Sequence, residues 1–250
     1  MSNAPEESLP SPERKLGISE DALFRVDRVA SLNFVTTAHI RGPLTTQALE
    51  VALRAVQRRH PLLRACIVQS IGGTARFTAH DASAPLPLRV VRPNRPDQWI
   101  AEISEEINRH IPTSGLLWRV VLVSESEDAR EHTLHITFHH TISDGMSGVY
   151  LTRDLLQALD GKALEPLPLS PAMDQLLPPD AQGLTRWLRS TGLGLREAGR
   201  LLRDGVPVTP RVEVERFAHE RQVRVLPRVL EPELASRVSD AARREKTTVH

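Results

Sequence analysis

Four histidines fall within the nine residues His132-Thr133-Leu134-His135-Ile136-Thr137-Phe138-His139-His140, and Ser143-Asp144-Gly145 follows at once. The run alternates apolar and polar residues as a strand does. That places His132, Leu134, Ile136, Phe138 and His140 on one face and His135 and His139 on the other. The two adjacent histidines therefore point opposite ways. Ser143, Asp144 and Gly145 can turn the chain and open a helix, so His140 is expected at a strand-to-helix junction, a common place for catalytic groups. Histidine ordinarily titrates near about pH 6.5 and can take a proton from a hydroxyl or amine, provided an acceptor holds its other ring nitrogen.

His140 is accordingly the candidate general base, with His139, Asp144 and Gly145 as its companions. Asp144 can act in two ways, by orienting a histidine or by pairing with an arginine to lock the turn. Arg59 and Arg64 are the candidate partners for the second role, which is the favoured one. Gly145 would allow close approach of backbone or ligand. Each feature also has an ordinary reading: a strand histidine is usually a satisfied core residue, and Asp-Gly is usually a turn. Their combination at this spacing favours function.

A metal centre fits these residues poorly. His135 and His139 share a face but lie four strand residues apart, roughly 13 Å, whereas zinc ligands sit about 2 Å from the ion. No Cys pair or carboxylate at ligand spacing helps, so no metal is expected, and His132 and His135 are expected to be hairpin-surface or packing residues. The basic run Gln57-Arg58-Arg59-His60-Pro61-Leu62-Leu63-Arg64 suits a helix C-terminus. No aromatic residue interleaves it, which argues against nucleic acid.

The elements that must hold these residues alternate along the chain. Phe34 to Ile40 reads as a strand; Thr45 or Thr46 can cap a helix whose apolar positions are Leu49, Ala52, Leu53 and Val56. Strand-like runs follow at Leu63 to Val68, Ala75 to Ala79 and Leu88 to Val91. Pro96-Asp97 then opens a helix with Trp99, Ile103 and Ile107 on one face. Leu117 to Val123 and His132 to His140 form a hairpin around Glu125-Ser126-Glu127-Asp128. Val149, Leu151, Leu155, Leu156 and Leu159 mark a further helix ending near Asp160-Gly161.

Prolines are dense from Pro166 to Pro179 and predict a linker. Leu184 to Leu202 predicts an amphipathic helix with arginines on its polar face, more suited to packing on a domain than to a membrane surface. A strand is expected over Phe217 to Leu226 and a helix over Glu231 to Arg244. The closing Thr247-Thr248 is good N-cap material, as if another helix were about to start.

Composition agrees with a globular protein: 250 residues, 40% of them apolar, with 32 basic against 31 acidic side chains. So balanced a charge directs the chain toward neither nucleic acid nor an anionic membrane. The one cysteine, Cys66, sits in an apolar stretch and reads as a small core residue. No stretch of about 18 apolar residues or signal-like segment occurs. These features fit a reducing, cytoplasmic setting.

His139 to Gly145 resembles the HHxxxDG motif of the chloramphenicol-acetyltransferase-like superfamily, which includes nonribosomal-peptide condensation domains, plant BAHD acyltransferases and polyketide-associated or alcohol acyltransferases. Leu49 to Arg64 resembles the helix-then-strand segment of condensation-type proteins, and Leu116-Leu117-Trp118-Arg119-Val120 the strand before the motif strand. The resemblance spans most of residues 14 to 160. It implies an α/β fold, a chloramphenicol-acetyltransferase-like lobe with a mixed sheet flanked by helices, and a second lobe only begun. The implied division is a flexible 1–13, an N-terminal lobe over 14–165, a proline-rich linker and bridging helix over 166–212, and the start of a truncated C-terminal lobe over 213–250.

By the same resemblance, His140 is the catalytic base and Asp144 is structural, salt-bridged to an arginine. No cofactor is expected. The substrates implied are an acyl group on a pantetheine thioester, either acyl-CoA or an acyl carrier protein, and an alcohol acceptor giving an ester. A stand-alone enzyme is favoured by Arg14-Lys15-Leu16-Gly17-Ile18-Ser19-Glu20, similar to the opening of free-standing members. The alternatives are an amide-forming condensation enzyme and a catalytically silent carrier-protein docking module. A missing C-terminal lobe is the other implied partner.

Overall fold

Leu49, Ala52, Leu53 and Val56, spaced one helical turn apart, are all buried in the computed structural model, which describes residues 9–70, 73–176, 178, 196, 199, 200, 203 and 222–248. They form the inner stripe of α2 (Thr46–Arg59), which begins where Thr45 Oγ1 accepts from the Ala48 amide at 3.1 Å. The preceding elements are β1 (Arg14–Lys15), α1 (Ile18–Asp27) and β2 (Asn33–Arg41). After α2 come β3 (Ala65–Gln69), β4 (Ala75–Ala79), β5 (Leu88–Val91), α3 (Gln98–Asn108), β6 (Trp118–Val123), β7 (Glu131–His139), α4 (Gly145–Leu159) and α5 (Pro232–Arg244).

Two sheets organise these elements. The larger runs β2-β7-β6-β5 and is mixed, because β5 pairs with β6 in parallel while the other neighbours are antiparallel. The smaller runs β1-β4-β3. β6 and β7 make the expected hairpin, with Trp118 opposite Phe138 and Val123 opposite Thr133. On one face of the larger sheet, Leu134, Ile136 and Phe138 of β7 pack with Leu53 and Val56 of α2 and with Leu151 and Leu155 of α4. The smaller sheet has its own cluster, in which Phe24 of α1 meets Ala65, Ile67, Ala75, Phe77 and Leu117.

α3 covers the other face of the larger sheet, and here the structure corrects the sequence reading. Its most buried side chains are Glu102 and Glu106, whereas Ile103 and Ile107 are only partly buried. The sheet beneath carries cations: Arg89 Nη2 lies 2.8 Å from Glu102 and 3.2 Å from Glu106, and Arg119 Nε also donates to Glu106. Thr137 Oγ1 adds a further hydrogen bond at 3.1 Å. The arginines on β5 and β6 thus draw the acids inward, and the helix turns to meet them.

Other differences have local causes. Pro61–Arg64 is a 3-10 turn rather than the start of a strand, with Pro61 opening it and the Leu63 carbonyl taken by Trp118 Nε1 at 2.8 Å. Residues 222–226 form no strand, and 217–221 lie outside the described residues. So does most of the helix expected over Leu184 to Leu202. The helix expected from Glu231 forms as α5. No helix among the described residues is long and apolar enough to cross a membrane.

Candidate active site

β7 ends at His139, and a five-residue turn, 140–144, joins it to α4. His140 stands at the start of that turn, partly buried, its ring 5.2 Å from that of Phe34. Its Nδ1 lies 3.0 Å from the Ser143 carbonyl oxygen. A carbonyl only accepts, so Nδ1 carries the hydrogen and donates, and the neutral ring keeps its lone pair on Nε2. The turn therefore holds His140 in the tautomer a general base needs. Its main-chain amide donates to the Leu32 carbonyl at 3.2 Å.

His139 points to the opposite face and is fully buried. Its Nδ1 accepts the Thr141 amide at 3.2 Å, which assigns its ring hydrogen to Nε2. That nitrogen lies 3.1 Å from Asp27 Oδ2, so that the carboxylate faces its N–H dipole, though not in line for a straight hydrogen bond. Asp27, only 3% exposed, also accepts from His110 Nε2 at 2.8 Å and from the Leu32 amide at 2.7 Å. Burial works to raise its carboxyl, yet these partners hold it below the ordinary carboxylate range.

Asp144 departs from expectation. It caps α4: its Oδ1 accepts from the Ser147 amide at 2.8 Å and the Ser147 hydroxyl at 2.7 Å, and these bonds lower its carboxyl. Neither candidate arginine reaches it. Arg64 Nη2 donates to the Pro10 carbonyl at 2.7 Å. Arg59 pairs instead with Asp154, Nε to Oδ2 at 2.7 Å, and donates through Nη1 to the Glu165 carbonyl. The physical reason is exposure: Asp144 lies at the surface, where an N-cap satisfies it, while Asp154 is buried and must be neutralised by cations. A Cβ at Gly145 would meet nothing within 4 Å, so no protein group crowds it. Gly148, three residues on, does have a close neighbour: a Cβ there would stand 2.2 Å from Thr36 Oγ1.

His132 and His135 are both buried in packing roles. The first lies 2.8 Å from Ser124 Oγ and 3.0 Å from the Gly42 carbonyl, the second 3.0 Å from Thr37 Oγ1. Beside the histidine turn lies a hollow of ≈ 530 Å³, with Ile142 and Ser143 on one wall and Tyr150, Arg153 and Leu169 on others. A larger hollow, ≈ 850 Å³, opens at the far end of β7 around His132 and Trp99 and does not touch the turn. Among the described residues, no group of three or more His, Cys, Asp or Glu is placed to hold a metal ion.

Sequence reasoning missed Asp27, Leu32 and Asp154. Asp154 left a signal, since it falls with Leu151 and Leu155 on the inward face of α4, where a charge requires a partner. Asp27 and Leu32 left none, because their roles depend on the chain folding back onto the motif.

Residues 28–174, more than half of the chain, match the family model described as the condensation domain. The chain belongs to the condensation-domain family. It is 33% identical over 120 residues to the nonribosomal peptide synthetase kk1B of Curvularia clavata, a match covering 47% of this chain and 1% of that protein. Among solved structures, it is similar to the X-domain from teicoplanin biosynthesis, at 26% identity and a TM-score of 0.54 over 81% of this chain and 42% of that one. The condensation domain of the monacolin K polyketide synthase MokA shares its fold, with a TM-score of 0.60 at 20% identity over 95% of this chain and 56% of that one. This condensation-domain chain therefore spans about half the length of those solved chains. Its mixed sheet flanked by helices is the architecture of a lobe of the chloramphenicol-acetyltransferase-like fold.

Proposed function

We propose that this chain carries an acyl-transfer site in which His140 is the general base, with the acyl group delivered as a pantetheine thioester on CoA or a carrier protein. The observation that carries the reading is the Nδ1–H bond to the Ser143 carbonyl at 3.0 Å, which leaves Nε2 with a free lone pair. An acceptor hydroxyl gives its proton to Nε2 as its oxygen bonds to the thioester carbon. The tetrahedral intermediate then collapses, the C–S bond breaks, and the proton passes from the imidazolium to the leaving thiolate. Nothing is oxidised or reduced, and the product is an ester.

A second reading, an amine acceptor and an amide product, is favoured by the relatives that are peptide synthetases. It uses the same base. The test is free-thiol release from acyl-CoA and acyl-carrier-protein donors, with an alcohol or an amine acceptor, by the natural polypeptide carrying this chain. Proton transfer of this kind contributes on the order of 10² to 10⁴-fold, so His140→Ala should lose about that much turnover while still binding donor. Full activity in His140→Ala would remove the base from this position. Donor binding without thiol release in the wild type would favour a docking role.

A further inference from the structure

We infer that Asp27 is the residue that positions His140, through two separate arms that end on consecutive backbone amides. The inference rests on the reading of His140 as the base. In the first arm, Asp27 Oδ1 accepts the Leu32 amide at 2.7 Å, and the carbonyl of the same Leu32 accepts the His140 amide at 3.2 Å. In the second, Asp27 Oδ2 faces His139 Nε2 at 3.1 Å, and His139 Nδ1 accepts the Thr141 amide at 3.2 Å. One carboxylate thus governs the peptide groups on both sides of His140.

The location of Asp27 is costly, which calls for an explanation. It is the last residue of α1, where the helix dipole disfavours an anion, and it is 3% exposed. A surface acid in the same turn would cap or solubilise the helix without that cost. Here the carboxylate spans α1, the loop before β2, the end of β7 and, through His110 Nε2 at 2.8 Å, the segment after α3. Four parts of the fold converge on the turn that presents the base. A displacement of about 1 Å in such a group can cost on the order of 10²-fold in rate.

Asp27→Asn separates the two arms. The amide side chain keeps an oxygen toward the Leu32 amide but turns an NH2 toward His139 Nε2–H. Two donors then face each other, and His139 relieves the conflict by moving its hydrogen to Nδ1, which leaves the Thr141 amide without its acceptor.

The experiment is histidine ring ¹⁵N NMR on the wild type and Asp27→Asn, with thermal unfolding as the check on folding and thiol release as the kinetic readout. In the wild type the unprotonated nitrogen should be Nδ1 in His139 and Nε2 in His140. In Asp27→Asn it should switch to Nε2 in His139, with kcat reduced about 10- to 100-fold and KM little changed. A folded Asp27→Asn protein with an unchanged His139 tautomer and unchanged kcat overturns the inference. Should that variant fail to fold, His139→Leu cuts the same arm while leaving Asp27 in place, and unchanged kcat there overturns it equally. Loss of the function reading is distinguishable: His140→Ala would then match the wild type while the His139 tautomer still reported on Asp27.

Discussion

Arg59 and Asp154, 95 positions apart in sequence, meet at 2.7 Å and join the end of α2 to the middle of α4. Asp154 is 1% exposed, and its other contacts are His60 Nε2 at 3.0 Å and Arg153 Nη2 at 2.8 Å. Burial works to raise its carboxyl, but the hydrogen bonds from Arg153, Arg59 and His60 outweigh that and hold it below the ordinary range. Removing the acid would strand Arg59, which is itself largely buried. Asp154→Ala should therefore destabilise the fold by about 2–4 kcal/mol, toward the lower end of what breaking a buried pair costs because Arg153 remains half-exposed. Urea unfolding measures this, and a loss below about 1 kcal/mol would show that the network is not a clamp.

The N-cap role of Asp144 separates it from an ion-pair role. Asparagine also caps helices, so Asp144→Asn should cost little, whereas Asp144→Ala should cost about 1 kcal/mol. Chemical denaturation of the two variants decides the matter. Equal losses would mean that the charge matters more than the cap.

Gly148 allows α4 to lie against β2, since any Cβ there would stand 2.2 Å from Thr36 Oγ1. Gly148→Ala should cost about 1–3 kcal/mol as helix and strand are pushed apart. Removing the hydroxyl relieves the clash, because the next contacts, Phe34 Cε2 and Thr36 Cβ, lie at 3.4 Å. Most of the lost stability should return in the Gly148→Ala/Thr36→Ala double variant. Strict additivity of the two losses would refute a direct clash.

His135 makes stability depend on pH. Burial pushes its imidazole down to about 4, so it stays neutral in the folded chain while the unfolded chain protonates below roughly pH 6.5. A lowered folded value contributes stability that is present above the unfolded value and lost as pH falls toward the folded one. Between pH 7 and pH 5 this amounts to about 2 kcal/mol. The buried acids Asp27, Glu106 and Asp154 are held low and act mainly below that window. His135→Gln should lose less stability than the wild type over the same range. Parallel urea curves at the two pH values would detect the difference, and identical losses would exclude His135 as the source.

Period-two alternation from His132 to His140 was enough to send His139 and His140 to opposite faces, since side-chain direction in a strand follows from local geometry alone. The same holds for the inner stripe of α2, for the β6–β7 hairpin and for the helix start at Asp144. The motif and its flanking segments were likewise sufficient to place the chain in its family. Tertiary structure decided which charges meet. Arg59 chose Asp154 over Asp144, Glu102 and Glu106 turned inward to Arg89 and Arg119, and Asp27 came to lie under the histidine turn. Ion pairs carry no periodicity, and their partners are set by burial and by where distant segments cross, so no spacing in the chain announces them.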